Sequence, residues 1–149
     1  MKKYLSIMIA VLFLATGSIN LLAQSPVTEK LVAGSYIVYA RSPQAWRFTV
    51  DSKTMANASV TGKYSATAGT PMDIDFLVLN EENYFKWRSE DDAVKAAAKP
   101  IFQAGRKAGG DVNVRLSEPG HYYVVLSNLF YYEGTRTVNA DLKLQFDKR

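Results

Sequence analysis

The alternation of apolar and polar residues predicts β-strands along most of the chain. From residue 31 onward, short apolar segments recur about every 8 to 14 residues and are separated by Gly, Pro, Asn, Asp or Ser. Alternation is clearest in "DVNVRL" at 111–116 and in "TVNADLKLQF" at 137–146. Because successive side chains on a strand point to opposite faces, such segments bury one face of a sheet. We predict strands at 31–40, 45–51, 56–66, 72–80, 84–88, 111–117, 121–128 and 136–146.

Two further segments are apolar on both faces, "MDIDFLVLN" at 72–80 and "YYVVLSNLF" at 122–130. Strands that are covered on both faces lie in the middle of a sheet. The Pro119-Gly120 pair predicts a tight turn before the second of them. Together the segments predict an all-β fold, an antiparallel two-sheet β-sandwich of about eight strands.

One segment has the pattern of a helix. "SEDDAVKAAAKP" at 89–100 begins with Ser89 as a candidate N-cap, has acidic residues in its first turn and ends at Pro100. We therefore predict one short helix in a connection between strands. The glycine-rich "QAGRKAGGD" at 103–111 predicts a turn.

The beginning of the chain has the pattern of a secretory signal peptide. A basic "MKK" is followed by an apolar run from Ile7 to Ala15, then by the small and polar Thr16-Gly17-Ser18, and then by "LLA" at 21–23 with the small Ala23 at the predicted cleavage point. The apolar run is shorter than the roughly 20 residues that a membrane-spanning helix needs. We predict that residues 1–23 are cleaved, and that 24–149 form a single β-sandwich domain in the periplasm or outside the cell, with no stable membrane anchor.

Charge and cysteine content exclude several classes of function. The chain has 18 basic and 14 acidic residues, and removal of 1–23 takes away two lysines and leaves a net charge of about +2. That is too weak for a nucleic-acid-binding protein, which needs a strongly basic surface. The absence of cysteine excludes disulfides, thiolate metal sites and a cysteine nucleophile. The remaining domain of about 126 residues must be held together by its hydrophobic core.

The order of several segments is similar to that of a known family. The segments are "VTGKYSATAGTPMDIDFLVLN", "YFKW", "DVNVRL", "PGHYYVVLSN" and "TVNADLKLQF". Over about residues 46–146 the chain resembles the GOLD-type β-sandwich of the emp24/gp25L/p24 group, particularly its small exported bacterial relatives. The matching positions are Gly62, Asp73, Ile74, Phe76, Val78, Leu79, Asn80, Gly120, Tyr122, Tyr123 and Asn128. The resemblance implies a module that recognises a protein or ligand in the secretory pathway, and it implies no catalytic residues. The cysteine pair of the eukaryotic members is missing here, so their cargo-receptor function is not implied.

Two aromatic groups contain the candidate ligand-binding residues. They are Tyr84, Phe85 and Trp87 in one connection, and Phe130, Tyr131 and Tyr132 after the strand at 121–128. Consecutive side chains diverge, so some of these rings are expected to be exposed, where they offer surface to a sugar or a protein partner. The alternative, which we favour, is that they form a lid that closes the end of the sandwich. Trp46 shares a face with Phe48 and Val50, and we expect it in the core.

A weaker candidate is a metal site. Asp73 and Asp75 stand two apart on a predicted strand and so project from the same face, and Glu81 follows in the next turn. Oxygen ligands grouped in this way could hold Ca²⁺. The alternative, which we favour, is that one aspartate bonds to the backbone where the strand begins and the other is solvated. We therefore expect no cofactor, with Ca²⁺ as the one candidate.

His121 is the only histidine, so any Ser-His-Asp arrangement would have to use it. No Gly-x-Ser-x-Gly motif accompanies it, and its place after a Pro-Gly turn indicates a half-exposed structural residue. We therefore expect an exported, non-catalytic module that recognises a protein, peptide or glycan. The alternatives are a calcium-stabilised accessory domain of a secreted system and, last, a hydrolase that uses His121.

Overall fold

The computed structural model describes residues 25–149, and the predicted signal peptide lies outside this range. The strands are β1 (Val27–Tyr39), β2 (Gln44–Val50), β3 (Met55–Ala68), β4 (Ile74–Asn80), β5 (Phe102–Lys107), β6 (Gly109–Arg115), β7 (Gly120–Ser127) and β8 (Thr135–Lys148). Two short helices, α1 (Glu81–Arg88) and α2 (Asp92–Ala96), lie between β4 and β5. Within the described range no helix is long and apolar enough to cross a membrane.

The strands form two four-stranded antiparallel sheets. The first sheet has the order β1-β8-β3-β6 and the second has the order β2-β7-β4-β5. The predicted two-sheet sandwich is confirmed, and the strand order is that of an eight-stranded jelly roll. Only β4 and β5 are both consecutive in the chain and neighbours in one sheet. The connection between them contains both helices. Because this connection begins and ends at the second sheet, the helices lie next to that sheet.

The main core lies between the two sheets, and the alternating segments contribute to it as predicted. Leu142 and Leu144 of β8 face inward and are buried, whereas the residue between them is exposed. Full burial of a leucine side chain contributes about 1.5–3 kcal/mol. From the second sheet, Phe76 stacks on Tyr64 of β3 with ring centroids 4.7 Å apart. Trp46 also packs against this core, as predicted.

A second apolar cluster, the outer-face cluster, lies on the outer face of the second sheet. Its central residues, Leu77, Leu79 and Val125, are 0% exposed. Tyr84 and Trp87 of α1 pack against them from outside. The strands that supply the cluster, β4 and β7, are the two central strands of the sheet, as the two-sided apolar pattern predicted. Helix α1 is therefore a cover that keeps water off these strands.

The prediction of a strand at 84–88 is wrong, because this segment is part of α1. The side-chain oxygen of Asn80 accepts a hydrogen bond of 3.0 Å from the backbone N–H of Asn83 and so caps the helix. Acidic residues in the first turn and basic residues in the last turn suit the helix dipole. Tyr84 and Trp87 are three residues apart, so a helix places them on one face, whereas a strand would separate them.

The helix predicted at 89–100 is shorter than expected and has a different N-cap. It is α2, and its N-cap is Asp91 rather than Ser89. The carboxylate of Asp91 accepts a hydrogen bond of 2.8 Å from the backbone N–H of Ala93. Ser89 instead lies at the C-terminal end of α1. Because Ser89 ends α1, the next residue suited to an N-cap, Asp91, begins α2.

Strand β5 was missed, because residues 103–111 predicted a turn. It pairs with β4 through a register shift between Asp75 and Leu77. The extra residue of β5 is accommodated at Gly105, whose φ of +67° is in the left-handed region. Gly105 therefore marks a bulge within β5, whereas Gly109 and Gly110 begin β6.

The close approach of β3 and β8 requires glycine at position 62. A Cβ there would overlap the backbone carbonyl oxygen of Asp141, and the backbone φ is +136°. Gly120 has a similar φ of +141° but has open space where a Cβ would be.

We expect Gly62→Ala to lower the free energy of unfolding by more than about 4 kcal/mol, and Gly120→Ala by about 1–3 kcal/mol from backbone strain alone. Urea unfolding measures both values, and equal losses would contradict the close approach.

Candidate functional site

A cleft of about 810 Å³ opens on the outer face of the second sheet, beside the two helices. Its floor includes Asp75 of β4 and Ser127 of β7, which lie opposite each other in the sheet. A smaller lobe of about 200 Å³ continues the cleft at the C-terminal end of α1. Trp87 and Arg41 line both volumes, which therefore form one depression.

One wall of the cleft comes from the helical connection. Trp87 is in the last turn of α1 and is held in place by its packing on the outer-face cluster. Glu90, in the link between the helices, and Lys95 of α2 complete this wall. Trp87 therefore covers the sheet and lines the cleft at the same time.

The opposite wall comes from two loops at the end of the sheet. Leu129 and Phe130 belong to the β7–β8 loop, and Arg41 belongs to the β1–β2 loop. The guanidinium carbon of Arg106 lies 5.0 Å from the centroid of the Phe130 ring, a cation–π contact that orients the ring. One residue from each predicted aromatic group, Trp87 and Phe130, thus lines the same cleft.

The remaining predicted aromatic residues do not line this cleft. Tyr84 is stacked on Tyr123 of β7, with ring centroids 3.8 Å apart and an interplanar angle of 5°. Tyr84 therefore belongs to the contact between α1 and the sheet. Phe85 is 60% exposed and Tyr132 is 80% exposed, and the guanidinium carbon of Arg41 lies 4.4 Å from the centroid of the Tyr132 ring.

Tyr131 is part of a buried arginine cluster that the sequence did not reveal. Arg136 is 2% exposed, and its Nε donates a hydrogen bond of 3.2 Å to the backbone carbonyl of Asp73. The guanidinium carbon lies 4.5 Å from the centroid of the Tyr131 ring, and the Tyr131 hydroxyl donates to Asp73 Oδ2 at 3.2 Å. A Cβ at Gly69 would lie only 2.6 Å from Arg136 Cδ. This group, the Arg136 lock, ties the β3–β4 loop to the β7–β8 loop.

Asp75 lies partly buried at the floor of the cleft. Its Oδ2 accepts a hydrogen bond of 3.0 Å from Gln103 Nε2. Burial raises the pKa of the Asp75 carboxyl, and the bond from Gln103 and the charge of Arg106 oppose this rise. A carboxyl group in this position can accept hydrogen bonds from hydroxyl or amide groups of a ligand.

The three candidate metal ligands have other partners. Asp73 belongs to the Arg136 lock, Asp75 bonds to Gln103, and Glu81 forms a salt bridge of 3.0 Å with Arg47. Within residues 25–149 there is no group of three or more His, Asp or Glu side chains that could hold a metal ion.

His121 lies at the start of β7, opposite Thr49 of β2. Its Nδ1 is 2.9 Å from the Thr49 hydroxyl oxygen, and the side chain is half-exposed. Neither residue lines the cleft. The pair is a cross-strand hydrogen bond at the edge of the second sheet.

Comparison with known proteins adds no family assignment. Neither a scan against protein-family models nor a search of curated proteins gives a match. The fold is therefore assigned from the two observed sheets alone. The similarity to the GOLD-type group is based only on the order of segments in the sequence.

Replacement of Arg136 measures how much the Arg136 lock stabilises the folded protein. Arg136→Met keeps most of the side-chain volume but leaves the largely buried Asp73 without its cation. We expect the free energy of unfolding to fall by about 3–5 kcal/mol, as when one partner of a buried ion pair is removed. Arg47→Met breaks an exposed salt bridge with Glu81 and should cost about 0–1 kcal/mol. Chemical denaturation compares the two, and similar small losses would show that the lock does not hold the loops.

Proposed function

We propose that this protein is an exported, non-catalytic recognition module with a GOLD-like β-sandwich, and that the cleft on its second sheet binds a glycan. The observation that carries the proposal is that Trp87 and Phe130, from two different elements, line one cleft above a polar floor. Export rests on the signal-peptide pattern of residues 1–23.

The size and lining of the cleft support ligand binding. Sites for small ligands are concave, have volumes of about 300–1,000 Å³, and combine apolar and aromatic side chains with a few polar groups. The main cleft of about 810 Å³ has Trp87, Leu129 and Phe130 around it and Asp75 and Ser127 at its floor. This is the combination that positions a ligand by apolar contact and orients it by hydrogen bonds.

The chemistry of the lining favours a glycan over a peptide. A sugar ring has an apolar face of C–H groups that stacks on an aromatic ring, and a rim of hydroxyls that bond to charged side chains. Peptides that bind sheets usually add a strand to a free edge. The floor here belongs to β4 and β7, which pair with strands on both sides, so no strand can be added at this place.

The alternative functions have no comparable support. A hydrolase that uses His121 would need this residue at the cleft, but His121 does not line it. A calcium-stabilised domain would need converging carboxylates, and Asp73 and Glu81 are each paired with an arginine.

The proposal predicts that Trp87→Ala removes binding to oligosaccharides. Binding of the purified protein to an array of neutral and acidic oligosaccharides should fall at least about tenfold, because the main stacking surface is lost. Isothermal titration with the best array member then gives the change in affinity.

The matched control is Tyr84→Ala. Tyr84 packs on the same outer-face cluster as Trp87 but does not line the cleft, so both variants lose a comparable contact with the sheet. We expect Tyr84→Ala to keep its affinity at a temperature where both variants are folded. An equal loss in both variants, or no binding of the unmodified protein to any array member, would contradict the proposed function.

A further inference from the structure

The smaller lobe of the cleft is cationic. Three basic side chains, Arg41, Arg88 and Lys95, line its volume of about 200 Å³, against one acidic side chain, Glu90. The three come from separate parts of the fold, namely the β1–β2 loop, the end of α1 and α2. Basic groups that converge in a concave site attract anions and raise their local concentration.

The three basic residues have no carboxylate partner within residues 25–149. The salt bridges in this range are Arg47–Glu81, Lys86–Glu82 and Arg136–Asp73. Although Glu90 lines the same lobe, it forms no salt bridge with any of the three. Their charge is therefore available to a ligand.

The lobe is placed so that a ligand in the main cleft can reach it. Trp87 lines both volumes, so a sugar ring that stacks on its indole lies next to the basic residues. Arg41 is held at the rim, with its guanidinium over the Tyr132 ring and its backbone N–H donating to the Asn128 carbonyl at 3.4 Å. The planar guanidinium groups of Arg41 and Arg88 match a carboxylate or sulfate in a two-pronged contact.

We propose that the ligand is an anionic glycan, and that its carboxylate or sulfate group lies in the smaller lobe between Arg41, Arg88 and Lys95. The proposal rests on the proposed function, because it names the class of ligand for the same cleft. Trp87 and Phe130 bind the sugar ring, and the three basic residues select a charged substituent.

The test uses pairs of oligosaccharides that differ only in charge. One pair is a galacturonate oligomer and its methyl ester, and the other is a sulfated galactan oligomer and its desulfated form. In isothermal titration the acidic member of at least one pair should bind at least about tenfold more tightly than its neutral partner. Because exposed charges are screened by salt, this preference should shrink at high ionic strength. The pair that shows the preference identifies the group as carboxylate or sulfate.

Charge variants show whether the lobe causes the preference. Arg41→Gln, Arg88→Gln and Lys95→Gln should each reduce the ratio of acidic to neutral affinity, by about threefold or more, and the triple variant should bring the ratio close to one. Arg47→Gln removes a basic residue outside the cleft lining and should leave the ratio unchanged.

The outcomes separate this proposal from the proposed function. If acidic and neutral members bind equally, the anionic class is excluded and the recognition cleft stands. If no oligosaccharide binds, the proposed function fails. A polyglutamate peptide serves as the acidic non-sugar probe, and tight binding of it that is insensitive to Trp87→Ala would assign the lobe to an acidic protein and overturn the anionic glycan.

Discussion

The two central strands of the second sheet are apolar on both faces, and the rest of the structure depends on this constraint. Leu77 and Leu79 point away from the main core and are nevertheless 0% exposed. If these side chains were left in water, the free energy of unfolding would be lower by about 1.5–3 kcal/mol for each of them. The chain covers them with α1, which lies in the connection between β4 and β5. A helix of eight residues is not stable alone, so the aromatic side chains that it packs on the sheet hold it in place. The cleft is the space between this cover and the loops at the end of the sheet.

The outer faces of the two sheets differ in what covers them. The first sheet has alternating strands, and the outward residues of β6 and most of those of β8 are exposed. The second sheet carries a cover, a cleft and two loops that the Arg136 lock and cation–π contacts hold in position. Loops tied by these contacts form one wall of the cleft, and a small helix packed on the outer-face cluster forms the other.

Much of the fold could be predicted from the sequence, because burial on one or both faces leaves a pattern in each strand. The two-sheet sandwich, the central position of β4 and β7, and the alternating faces of β6 and β8 followed from that pattern. Helix α1 was missed although its signals were present, namely Asn80 as a cap and the spacing of Tyr84 and Trp87. β5 was missed because Gly105 marks a bulge, which in sequence is the same as a turn.

The candidate site was predictable only in part. Exposed aromatic residues could be named, but the meeting of Trp87 and Phe130 depends on the topology, which brings the helical connection and the β7–β8 loop to the same sheet. Hydrogen exchange of the α1 amides tests the central claim, that α1 is bound to the outer face of the second sheet. We expect the amides of residues 85–88 to be protected at least about a hundredfold relative to the free peptide. Exchange at the rate of the free peptide would contradict it.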